Sequence, residues 1–126
     1  MKIITNENYV DKAEQVIDSL LKDRQDKFLL TTSKIRSLLS MTADIYNKAM
    51  LLNSNVLTDS VKERLSYLRV RCLYESGREP AVKDFVKKSG LLERLSEIES
   101  RTDYILFSHY MEALVAWHRY NGGKDA

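Results

Sequence analysis

One proline, Pro80, four glycines and a single cysteine are all that the chain holds of the residue types that break or staple a backbone. The breakers, Gly77, Pro80, Gly90, Gly122 and Gly123, stand where helices are expected to start or stop. Cys72 has no partner for an internal disulfide, which points to a reducing, cytoplasmic setting. Long apolar runs are missing too. The longest, Ala113 to Trp117, falls far short of the ~18 residues of a membrane span. The opening MKIITNENYV has no apolar core of the signal-peptide kind, so none is expected. No segment alternates apolar and polar residues long enough for a convincing strand, and no repeat or low-complexity linker interrupts the sequence.

The chemistry of common enzymes is equally sparse. There is no Walker A sequence, no GxGxxG, no CxxC and no HExxH. His109 and His118 are nine residues apart, on roughly opposite sides of one helix, and cannot share a metal within the chain. Cys72 falls on an apolar stripe, as a small buried residue would. Trp117 is expected in the core. No nucleophile has a matched base, so neither an enzyme nor a cofactor or metal is expected.

What is present is an ordinary globular composition, 44% apolar over 126 residues, enough for one domain over 1–126 with its own core. Net charge is only +2, but it is unevenly placed. Residues 27–88 hold 12 Lys/Arg against 6 Asp/Glu, a local +6, while residues 1–26 and 89–126 each hold 4 against 6, or −2. A local basic field attracts phosphates even on a nearly neutral protein.

Apolar residues recur with helical spacing along the whole chain, which predicts an all-α bundle of about five helices. The first spans about 7–23 behind an Asn6 cap, the second about 33–53 behind Thr31 or Thr32, and the third about 59–76 behind Thr58 or Asp59. Gly77 is expected to end the third in a positive-φ conformation. The fourth opens at Pro80 and breaks at Gly90, with a short continuation over about 91–99; the last runs about 103–121.

The third helix carries the unusual feature. Val61, Leu65, Leu68 and Cys72 form its core stripe, and Arg64, Tyr67, Arg71, Tyr74 and Arg78 form a second stripe about 100° around. Lys62 and Arg69 lie on the opposite flank of the core stripe. Either edge could track phosphates, guanidinium groups meeting backbone oxygens while tyrosines stack on bases or sugars. The same stripe also fits a solvated or inter-helix face, with Arg71 pairing to Glu75 one turn on. Thr31, Thr32, Ser33, Lys34 and Arg36 at the start of the second helix suit either a phosphate site or a plain cap. Lys83, Lys87 and Lys88 give the fourth helix a basic surface.

Four segments, ENYVDKAE, LLTTSKIRSLLSMT, YLRVRCLYESGREPAVKDFV and HYMEALVAWHRYNGGKD, in this order and at these spacings, make the chain similar to the small-subunit family of type III-A CRISPR effector (Csm) complexes. The resemblance covers nearly the whole length and implies a non-catalytic helical bundle in a ribonucleoprotein of antiviral defence. Several copies would stack as a minor filament beside the backbone filament. Its partners would be the CRISPR RNA, the target RNA, the large cyclase/nuclease subunit, the backbone RNase subunit and other copies of itself. On matched motifs it implies RNA-backbone contacts for Lys34 and Arg36 in TTSKIR, Arg69 in YLRV, Arg78 in SGRE and Lys83 in VKD. Arg64, Arg71 and Lys62 are added by the helical-face argument alone. Pro80, in REP, departs from the family pattern.

Two other functions remain compatible with the residues: a free-standing helical nucleic-acid-binding regulator, and a structural adaptor whose basic face meets acidic protein.

Overall fold

The described residues fold into six α-helices: α1 (Tyr9–Asp18), α2 (Arg36–Met50), α3 (Asp59–Arg78), α4 (Pro80–Ser89), α5 (Leu91–Ser96) and α6 (Arg101–Tyr120), with a 3-10 turn over Thr32–Ile35 leading into α2. This is a computed structural model and describes residues 3–126. Among those residues there is no strand, only the isolated bridges Lys22–Phe28 and Val56–Ser100. Among the described residues no helix is long and apolar enough to cross a membrane.

Local chemistry sets most of the boundaries. Thr58 caps α3 by accepting from the Val61 amide, and Ser100 caps α6 by accepting from Asp103. Asn55 reinforces the start of α6, its backbone oxygen taking the Arg101 amide and its side chain the Thr102 amide. Pro80 opens α4, and the residue before it, Glu79, is extended at φ −128° and ψ 115°, which ends α3. Gly77 therefore lies inside α3 rather than beyond it, and its φ is not positive. Gly90, at φ 68°, is left-handed and turns the chain between α4 and α5.

Other boundaries differ from the sequence expectation because of contacts distant in sequence. The first helix stops at Asp18 rather than about 23: Asp84 of α4 accepts from the Leu21 amide, and Lys88 donates to the Ser19 carbonyl. Its N-cap is Asn8, not Asn6. Thr5 and Asn8 exchange hydrogen bonds, the Thr5 amide to Asn8 Oδ1 at 2.7 Å and the Asn8 amide to Thr5 Oγ1 at 3.2 Å. The short helix over Leu91–Ser96 ends before 99.

Each helix packs on the next in the order α1, α6, α2, α3, α4 and back to α1, with α5 leaning on α3 and α4. The buried apolar side chains form one cluster inside this ring. Two buried tyrosines of α6 tie it together: Tyr104 donates to the Thr42 carbonyl of α2 and Tyr110 to the Ser89 carbonyl of α4. Burial pushes the Tyr110 phenol up to about 12, against a smaller opposing pull from Arg94. In this ring the seam between α1 and α6 lies across the molecule from α3.

Candidate nucleic-acid interface

The core stripe of α3 continues one step past Cys72 to Glu75, which is only 4% exposed. A buried carboxylate needs partners, and the second stripe supplies them. Arg71 donates to Glu75 at 3.1 Å, and Arg78 lies 3.7 Å from its other oxygen. The Arg71 guanidinium also sits over the Tyr74 ring, 4.8 Å from its centre. Two of the three arginines of the stripe thus serve a protein carboxylate. Arg64, the third, is exposed, as are Tyr67 and Tyr74.

The start of the second helix is likewise engaged. Its exposed amides do not stand open for a phosphate: Thr32 donates to the Lys124 carbonyl and Ser33 to that of Asp125. Thr31 precedes the turn without making a side-chain cap. Gly123 lies against the His118 ring, whose Nε2–H donates to the Leu30 carbonyl at 2.9 Å, so the tail and the Phe28–Thr32 segment close over one buried imidazole. The Lys34 ammonium reaches the Leu29 carbonyl at 3.2 Å and Glu79 at 3.8 Å. Lys88 is held by Asp84 at 2.8 Å.

A different set of cations keeps its charge for solvent. Arg36, Lys62, Arg64, Arg69 and Lys83 are exposed, and none has a side-chain partner among the described residues. Lys62 and Arg69 stand two turns apart on one wall of a groove of about 400 Å³ between α3 and α5. Leu65 and Leu95 line it, Ser66 and Ser96 contribute hydroxyls, and Glu99 is a carboxylate among the lining residues. Arg64, Arg36 and Lys83 do not line this groove. The connection from α2 to α3 spans residues 51–58, longer than the three or four residues of a helix-turn-helix turn, which weighs against a recognition-helix regulator.

Sequence reasoning missed Glu75 as a buried anion. Its position three residues past Cys72 on an apolar stripe is a signal that could have found it. The tail carbonyls over Thr32 and Ser33 left no comparable signal, being some ninety residues away in sequence. Trp117 is not a core residue; it is half-buried at the rim, with its indole N–H donating to the Val10 carbonyl at 3.0 Å. Cys72 is buried, and burial raises its thiol to about 11, the direction opposite to an activated nucleophile. Among the described residues no three His, Cys, Asp or Glu side chains gather where they could hold a metal ion.

The family model described as Csm2 Type III-A matches residues 5–124. A protein of Streptococcus thermophilus named CRISPR system Cms protein Csm2 is 48% identical over 125 residues, covering 99% of this chain and 100% of that one. A protein of the same name from Mycobacterium tuberculosis (strain CDC 1551 / Oshkosh) is 44% identical over 97% of this chain and 98% of its own length. Another of that name, from Enterococcus italicus, is 34% identical over 88% and 82%.

Proposed function

The chain belongs to the Csm2 type III-A family, and from that premise we propose that it is the small, non-catalytic subunit of a type III-A CRISPR ribonucleoprotein, holding RNA by its backbone. It acts in the cytoplasm as one domain over residues 1–126. Several copies line up beside the backbone RNase subunits, next to the large cyclase/nuclease subunit. Base recognition is left to pairing between CRISPR RNA and target. The subunit then needs cations aimed at phosphates and no base-edge code.

The observation that carries this reading is the division of charge on α3. Arg71 and Arg78 are held by buried Glu75, while Lys62 and Arg69, along the α3–α5 groove, have no side-chain partner among the described residues. Of the two edges of α3, the Lys62–Arg69 edge is therefore the one with charge to offer an RNA. Arg36 and Lys83 widen the basic surface without sharing the groove, and Arg64 lies on the opposite edge of α3. Arg71, Arg78 and Lys34 support the fold first, and any RNA contact they make competes with a protein partner.

Footprinting of the bound RNA in the reconstituted complex tests this. With Lys62→Ala/Arg69→Ala, protection should weaken at regularly spaced backbone positions while the subunit still assembles. Unchanged protection would remove these two residues from the interface. A companion assay incubates the isolated chain with labelled RNA and DNA plus Mg²⁺ or Mn²⁺. Cleavage abolished by a point substitution in this chain would overturn the non-catalytic assignment.

A further inference from the structure

A second concavity lies away from the basic groove, on the outer side of the α1–α6 seam. It is an open channel of about 820 Å³ walled by Tyr9, Val10, His109, Ala113, Trp117 and Tyr120. Two carboxylates, Glu14 and Glu112, also line it; among the described residues no Lys or Arg does, and neither carboxylate has a partner. From His109 to Tyr120 it follows α6 for about 16 Å at 1.5 Å per residue. An aromatic channel with two unpaired acids suits a helix that carries apolar or aromatic side chains and arginines.

Such a helix surface exists on this chain. On the outer side of α3, Tyr67, Val70 and Tyr74 form a ridge at three- and four-residue spacing, each more than half exposed. Arg64, Arg71 and Arg78 run alongside it. The ridge from Arg64 to Tyr74 is about 15 Å long, the length of the channel. Ridge and channel cannot meet within one molecule, because the helix order places α3 across the ring from the α1–α6 seam.

We propose that the outer face of α3 of one copy seats in the α1–α6 channel of the next. Resting on the multi-copy assembly proposed above, this pairing adds which surfaces meet. The two patches differ, so the contact is heterologous and propagates head to tail rather than closing as a two-fold dimer. Arg64 of the ridge faces Glu14 and Glu112, and Tyr67 and Tyr74 cover the channel aromatics. Lys62 and Arg69 lie roughly 130° around α3 from the ridge, so the RNA groove stays open in the assembly.

Complementation between two defective chains tests it. One variant carries Glu14→Arg/Glu112→Arg in the channel, the other Tyr67→Ser/Tyr74→Ser on the ridge, with helical content checked by circular dichroism. In sedimentation at low salt, up to about 1 mM protein, the parent's mass should rise with concentration past the dimer. Each variant alone should associate at least tenfold more weakly. Their equimolar mixture should recover one good interface and plateau at a heterodimer. A monomeric parent, a channel variant that associates like the parent, or a mixture that stays monomeric each overturns the pairing; in the second case the channel serves another protein. RNA titrations of the same variants keep the two questions apart. Lys62→Ala/Arg69→Ala touches neither surface, so its loss of RNA binding bears on the RNA assignment alone.

Discussion

Glu75 keeps a carboxylate inside the bundle because Arg71 and Arg78 reach it from the neighbouring stripe. Removing Arg71 leaves that charge with the longer Arg78 contact and without the Arg71 hydrogen bond, so Arg71→Ala should cost roughly 1–3 kcal/mol. Arg69→Ala, on the open edge, should stay within about 0.5 kcal/mol of the parent. Thermal melts of the two read the difference directly; equal midpoints would mean that Glu75 is satisfied without Arg71. Gly123 is a second residue with no substitute. A Cβ there would lie 2.3 Å from the His118 ring, so Gly123→Ala should displace the tail from Thr32 and Ser33. Faster amide exchange at Thr32 and Ser33 is the expected readout. Cys72 gives a pH dependence. Its folded value of about 11 lies above the ordinary 9.0, so its contribution to stability is present below pH 9 and lost as pH rises towards 11. The urea midpoint should fall over that interval, less steeply in Cys72→Ala, and the buried phenols act in the same direction.

At the scale of elements, helices were legible wherever local chemistry decides them. Thr58, Pro80 and Gly90 each do what their residue type and position ask. The core stripe of α3 was legible as well, except that half-exposed polar company concealed Glu75 as its fourth buried member. The ends of α1 and the TTSK turn were not legible, because Asp84, Lys88, Lys124 and Asp125 set them from far along the chain. The candidate site divides in the same way. That α3 is basic can be read from its sequence; which cations are already paired depends on neighbours, and for Lys34 the neighbour is Glu79 on the far side of α2 and α3. The start of α6 is a clean test of local control. Ser100→Ala should cost about 1 kcal/mol through loss of the cap to Asp103, measured by denaturant unfolding. No change would shift the credit to Asn55.

For the whole molecule, the near-neutral total conceals a division between a basic middle and acidic ends. The fold keeps that division: α3 and α4 carry the cations, and the α1–α6 channel carries unpaired acids. The proposed role predicts weak, salt-sensitive attraction to any RNA, with no preference among sequences. The most direct measurement is the salt dependence of binding by this chain to two unrelated single-stranded RNAs of equal length. Each neutralised phosphate on a single strand contributes a log–log slope of about −0.7, so Lys62→Ala/Arg69→Ala should flatten the slope by about 1.4. The flattening should be the same for both RNAs, with α-helical content unchanged. An unaltered slope, or a marked preference of the parent chain for one RNA, would contradict a backbone-directed role for the Lys62–Arg69 edge.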